Sequence, residues 1–381
     1  MKKMLKYLSP FAPDQSGVCG VLYELGGLIV ICDAGGCTGN ICGFDEPRWF
    51  TKKSAVFSAG LRDMDAIMGR DDKLIEKLSK AQDALKGEFT ALVATPVPAV
   101  IGTDMKALKR MAEKKTGVPC ISINAIGTKY YDEGESQAWL ELFKEFTGKE
   151  DSSTKKSKSD NVTTDYSNKI GIIGATPLET GYSSEEVMNV FCRAYGIDDA
   201  VIYGIGSGLN AIKNADKMKK NLVISAAGIK AAKYLEETFG IPYETGFPFI
   251  PESVIRDMSD MAENKENSAI KNVLIIHSQF AANELRNRMK TSGLFGDAED
   301  IRIDTATFFM FDEKYAKDGD VQLSGEDELW EIAESGKYDL IIADTDIKRL
   351  LDAAKYKGKF ITFPHFAISG VPMDEGKTLY N

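Results

Sequence analysis

The sequence predicts an α/β protein of three Rossmann-like domains, each a parallel sheet flanked by helices. Apolar runs of strand length, among them LIVIC at 28–32, VLII at 273–276 and LIIA at 340–343, alternate with amphipathic stretches of about 10 to 15 residues. A run that is apolar at every position is covered on both faces, as in a buried parallel sheet. The alternation restarts twice and divides the chain into units at 1–150, 169–265 and 266–381. Residues 151–168, rich in Ser, Thr, Lys and Asp and without periodicity, read as a polar linker.

In the first unit, LIVIC runs into the glycine-rich turn DAGGCTGN. Ile67, Leu74, Leu78 and Leu85 fall at helical spacing and predict one helix over 65–85. A strand over 89–93 ends in TPVP, where two prolines stop regular structure. Thr103 is placed to cap a helix that stops at Gly117. A strand at 118–125 and a helix at 137–146 close the unit. In the second, a strand at 168–177 precedes a helix capped by Ser183 or Ser184. Strand, helix and strand follow at 199–228, then a helix and short strand over 228–246. The third unit has strands in 271–280, 301–309, 337–346 and 359–364, with helices between them.

The 57 acidic residues outnumber the 47 basic ones, a formal net charge of −10. An acidic surface repels nucleic acid and anionic lipid, so neither is an expected partner. Lys155, Lys156 and Lys158 fall in the linker and read as a solvated loop. The start, MKKMLKYLSPF, lacks the apolar stretch of a secretory signal, and no run approaches the roughly 20 apolar residues that span a bilayer. A cytoplasmic location is expected. Six cysteines, four of them between residues 19 and 42, suit a reducing compartment with metal, cluster or redox use. Cys32, Cys120 and Cys192 read as small buried hydrophobes.

Cys32, Cys37 and Cys42 are separated by four residues each, which matches neither a C-x-x-C zinc pattern nor a ferredoxin run. Gly35 and Gly36 let the backbone approach a bulky group beside Cys37. CDAGGCTG resembles the strand and turn H-G-x-x-G-C of nitrogenase component 1 subunits and of dark-operative protochlorophyllide reductase subunits. Cys37 then takes the place of the family's central cluster cysteine. Asp63, Asp65 and Gly69 match its S-x-x-x-x-E-x-D-x-x-x-G-G segment, and Ile101, Gly102 and Asp104 match P-V-x-x-I-G-x-D. Residues 336–366 resemble its last strand, helix and strand. The likeness is that of a short, divergent member. Two family cysteines do not carry over: Phe11 stands at the first, and the third falls at or near Pro96.

The resemblance implies an iron–sulfur cluster, of [4Fe–4S] type at a subunit interface, with Cys37, Cys42 and Cys19 as the thiols to hold it. It implies a homodimer or a paired homologous subunit, and an ATP-hydrolysing iron–sulfur reductase resembling the nitrogenase iron protein as electron donor. In nitrogenase a second metal cofactor, held by a cysteine and a histidine, sits between the three domains. His277 and His365, the only histidines, both end strands in the third unit. Either could bind a second, unidentified cofactor or donate a proton, and either could be a hydrogen-bonded strand-end residue. Trp49 suits a docking surface as well as a local core. GIGSG at 204–208 lacks the spacing of a dinucleotide loop, and IIGATP at 172–177 is no phosphate loop. The expected function is an electron-accepting oxidoreductase subunit. The alternatives are a scaffold for metallocofactor assembly and a cluster-free homologue that binds a small ligand.

Overall fold

The computed structural model describes residues 5–52, 54–149, 165–263, 270–295 and 300–371. Most of the tract read as a linker, with Lys155, Lys156 and Lys158, lies outside the described residues.

The first unit runs α1 (Asp14–Leu22), β1 (Leu28–Cys32), α2 (Gly36–Asn40), β2 (Ala55–Ser58), α3 (Asp63–Met68), α4 (Asp71–Leu85), β3 (Thr90–Ala94), α5 (Pro96–Ile101), α6 (Met105–Thr116), β4 (Cys120–Ile123) and α7 (Tyr131–Phe146). The next runs β5 (Ile170–Ile173), α8 (Pro177–Thr180), α9 (Glu185–Ala194), β6 (Ala200–Ile202), α10 (Gly208–Lys213), β7 (Lys220–Val223), α11 (Ile229–Phe239), β8 (Tyr243–Thr245) and α12 (Glu252–Glu263). The last runs β9 (Asn272–Ile276), α13 (Gln279–Ser292), β10 (Arg302–Thr307), β11 (Val321–Gln322), α14 (Glu326–Glu334), β12 (Leu340–Ala343), α15 (Thr345–Ala353) and β13 (Lys359–Thr362).

Three parallel sheets result, with orders β2-β1-β3-β4, β6-β5-β7-β8 and β11-β10-β9-β12-β13. Helices flank each sheet, and β1 and β3 are buried at all five positions. In each sheet the strand order reverses at one place: between β1 and β3, between β5 and β7, and between β9 and β12. The crevice beyond the carboxyl ends of such a pair is where α/β sheets bind their ligands.

The single helix read over 65–85 is two. Gly69, at φ 59°, ends α3 in the left-handed conformation, and α4 restarts two residues later. Pro96 starts α5 instead of ending order, because a proline at the first helical position gives up no hydrogen bond. Asp104, not Thr103, caps α6: its carboxylate accepts from the Lys106 and Ala107 backbone N–H groups. Ser184 is the cap of α9.

The units are laced together at their edges. Backbone N–H groups of Lys6, Tyr7 and Leu8 donate to Glu326 in the third unit, and Ala12 N–H donates to Ala367 O at 2.7 Å. One apolar core runs from Ile172 and Ile224 of the second sheet into Val273 and Ile361 of the third. Helices α1 and α7 cross so closely that α1 is buried at every position.

Candidate functional site

The crevice between β1 and β3 contains the cysteine turn. Asp33, buried at the end of β1, accepts from the Thr38 backbone N–H at 2.8 Å, the Thr38 hydroxyl at 3.0 Å and the Ser58 hydroxyl at 2.6 Å. One carboxylate thereby fixes the loop and ties it to β2. Gly35, at φ 118°, swings the chain into α2. A Cβ at Gly35, Gly36 or Gly39 would meet nothing within 4 Å, so this side of the loop is open.

Cys37 follows on the first turn of α2 and is half-buried. Burial, then the nearby Asp33 carboxylate, push its thiol up from the ordinary cysteine range; the nearby Thr95 and Gln15 side chains act in the opposite direction. Thr95 follows β3 and Gln15 lies on α1, so three elements converge on one sulfur. Gln15 Oε1 is buried without a hydrogen-bond partner.

Cys42 and Cys19 lie elsewhere. Cys42, on the turn at Ile41–Asp45, is buried in the core shared with Cys19, which is wholly buried on α1. Burial first, then Glu46, push Cys42 up to about 11, and the same two causes in the same order hold Cys19 well above the ordinary cysteine range. Among the described residues no group of three or more His, Cys, Asp or Glu side chains is arranged to hold a metal ion. Cys37, on an open glycine loop, is the one cysteine that is not buried. At the two places of the missing family cysteines, the Phe11 ring packs against Tyr130, Phe308 and Phe309, and Pro96 lies within 3.0 Å of where a Gly127 Cβ would stand.

Two short helices flank the loop. Arg62, at the start of α3, donates to Ala34 O at 2.9 Å, and α5 begins beside Thr95. They present Met64, Ile67, Met68, Val100 and Ile101 to solvent, Val100 at 85% exposure. Trp49 is 37% exposed.

His277 and His365 lie instead where the second and third sheets meet α7, and both are buried. Sequence reading missed their partners. Glu179, on α8, accepts from the Tyr131 hydroxyl at 2.6 Å and from the Ser278 hydroxyl. Glu135, on α7, accepts from the Thr176 hydroxyl, and its second oxygen is buried without a partner. No spacing signals this network, because its members come from five separate elements. The available hint was a polar residue just beyond each apolar strand.

Burial pushes Glu179 up to about 7 and holds His277 down to about 4. The folded chain keeps the Glu179 proton while the unfolded chain releases it between about pH 4.5 and 7, so this group lowers stability as pH rises through that window. The imidazole acts oppositely. As pH falls from about 6.5 to 4, the unfolded chain takes a proton that the folded ring refuses, and stability drops. Glu179→Gln removes the first effect and keeps the second. Its stability at pH 7.5 relative to pH 5 is therefore expected to exceed the wild-type difference by roughly 2 kcal/mol. Parallel profiles in urea melts across this range would contradict that.

No helix among the described residues is long and apolar enough to cross a membrane. Two solved structures of nitrogenase Cp1, at pH 6.5 and pH 5, resemble this chain with TM-scores of 0.67 and 0.66 at 12% and 15% identity. They cover 100% and 97% of this chain and 90% and 86% of their own. At that identity the likeness is one of fold. The nitrogenase iron-molybdenum cofactor biosynthesis protein NifE of Clostridium pasteurianum is 26% identical over 188 residues, 49% of this chain. The matched stretch spans 38% of that relative's own length. The family described as nitrogenase component 1 type oxidoreductase matches residues 26–309. With that match across most of its length, and three parallel sheets of the same fold, the chain belongs to the nitrogenase component 1 type oxidoreductase family.

Proposed function

We propose that this chain is one half of a paired oxidoreductase that shares an iron–sulfur cluster, of [4Fe–4S] type, with a second copy or a homologous subunit. The carrying observation is Cys37, a half-buried thiol on an open glycine loop at the crevice of the first sheet. A bound cluster would supply one-electron storage. The chain's own residues set the conditions. Asp33 fixes the loop, Thr95 and Gln15 lie near the sulfur, and partial burial with the Asp33 carboxylate holds the thiol above its ordinary range until a cluster binds it. Cys42 and Cys19, in the core against which Cys37 packs, are the further thiols for the cluster, Cys42 from the turn at Ile41–Asp45 and Cys19 from α1.

The apolar faces of α3 and α5, with Trp49, suit docking of an ATP-hydrolysing iron–sulfur reductase resembling the nitrogenase iron protein. A cytoplasmic location goes with this reading, supported by six free thiols. The division into units 1–150, 169–265 and 266–381 goes with it too, supported by the one parallel sheet that falls in each.

Cys37→Ser is expected to lose at least about tenfold in bound iron after anaerobic reconstitution. Mixing the loaded protein with a nitrogenase-type iron protein, reduced beforehand with dithionite and freed of excess, and MgATP should bleach the loaded chain's visible absorbance in an ATP-dependent manner as the iron protein is oxidised. Loaded protein that stays oxidised under those conditions would sink the electron-accepting role.

A second reading, a scaffold for metallocofactor assembly, is favoured by the likeness to NifE. Its sign is ATP-independent transfer of iron and sulfide from the loaded chain to an apo acceptor.

A further inference from the structure

We infer that the crevice where the second and third sheets meet holds no metallocofactor in this chain, because its own side chains occupy it. The inference draws on the component-1-type reading for what is implied to sit there, a metal cofactor held by a histidine and a cysteine. The residues present do not fit that group.

Both histidines have committed their ring nitrogens. His277 Nδ1 accepts from the Ser278 backbone N–H at 2.8 Å, and Nε2 lies 2.9 Å from the Pro364 carbonyl. A carbonyl only accepts, so Nε2 carries the proton and no lone pair remains for a metal. His365 repeats the arrangement. Its Nδ1 faces the Ala367 backbone N–H at 3.3 Å and its Nε2 the Tyr131 hydroxyl at 3.3 Å. Because Nδ1 accepts from that N–H, the neutral ring carries its proton on Nε2, which donates to the Tyr131 oxygen.

The space is filled as well. Phe309 stacks on the His365 ring with centroids 4.5 Å apart and planes at 9°, and Phe11 and Tyr131 pack edge-on. His277 stacks on Phe363 at 4.1 Å. Glu179 is the central occupant. Standing on α8 of the second unit, it accepts from Tyr131 of α7 in the first and from Ser278 after β9 in the third, so a single carboxyl joins all three units across the crevice. Cys192, the cysteine of the second unit, is packed in the apolar core and does not line this crevice.

The test is iron counting on the full chain after anaerobic reconstitution with iron(II) and sulfide, in wild type, Cys37→Ser, His277→Phe and His365→Phe. Phenylalanine preserves both ring stacks. The expected result is wild-type iron in both histidine variants and almost none in Cys37→Ser. Iron that survives Cys37→Ser and disappears in either histidine variant would overturn the inference. If wild type binds no iron at all, the cluster reading at Cys37 falls and the closed crevice stands. Should the histidine variants misfold, nitrogen-15 NMR of the two rings in wild type decides. Two neutral Nε2–H rings, unbroadened by added Co2+, support a closed crevice, and broadening of either ring refutes it.

Discussion

Replacing Arg48 with methionine is expected to cost about 3 to 5 kcal/mol of folding stability. The guanidinium is wholly buried. Its Nε and one Nη reach the two oxygens of Glu46 at 2.7 Å each, a bidentate pair. The same Nη donates to Gly20 O on α1 at 2.7 Å, and the other donates to Gly204 O after β6 at 3.0 Å. The side chain also lies over the Tyr23 ring, 4.9 Å from its centroid. Methionine fills much of the volume but leaves the Glu46 carboxylate buried and unpaired, with two carbonyls orphaned. That uncompensated charge dominates the loss. A Glu46→Gln, Arg48→Met double variant should therefore regain part of it, and a double-mutant cycle in urea reads the coupling directly. A single-variant loss below about 1 kcal/mol would mean that Arg48 is not what fixes the end of the cysteine loop against α1 and the second unit.

Gly134→Ala is the second large effect, expected at roughly 3 kcal/mol or more. Here a glycine is required by approach, not by φ. An added Cβ would stand 1.8 Å from Asp14 O, and the reciprocal Gly17→Ala would put one 1.9 Å from Tyr131 O. Both obstacles are backbone, so no side chain can yield, and α1 must move off α7. The movement reaches the site, because Gln15 on α1 turns toward Cys37 while Tyr131 on α7 closes the buried crevice. Iron binding should weaken along with stability. Gly39→Ala is the control: its Cβ meets nothing within 4 Å inside α2, and it should change stability by less than about 1 kcal/mol. If Gly134→Ala and Gly39→Ala melt alike, the tight crossing is not needed.

The parallel-sheet architecture was legible because the fully buried strands β1, β3, β9 and β12 read as unbroken apolar runs. α1 was not legible. Its sequence, DQSGVCGVL, is buried all round and carries two glycines, so it has neither an apolar stripe nor helix-favouring residues. The edge strand β2 was also missed, with only Val56 of its four residues buried. At the site, Gly35, Gly36 and Cys37 were legible as a turn at a strand end. Cys42 and Cys19 share the core against which Cys37 packs. Cys42 is buried on the turn at Ile41–Asp45 and Cys19 on the fully buried α1, placements that spacing alone does not encode. Asp33, Gln15 and Thr95 come from three elements, and only the fold brings them to the sulfur.

The most direct test of the Cys37 reading is iron and acid-labile sulfide per chain in protein purified without oxygen, with EPR spectra before and after dithionite. About two irons per chain with a reducible signal, lost in Cys37→Ser, is the expected result for one four-iron cluster shared by a pair. A value near zero that persists after reconstitution would contradict it and leave a component-1-type fold without its metal.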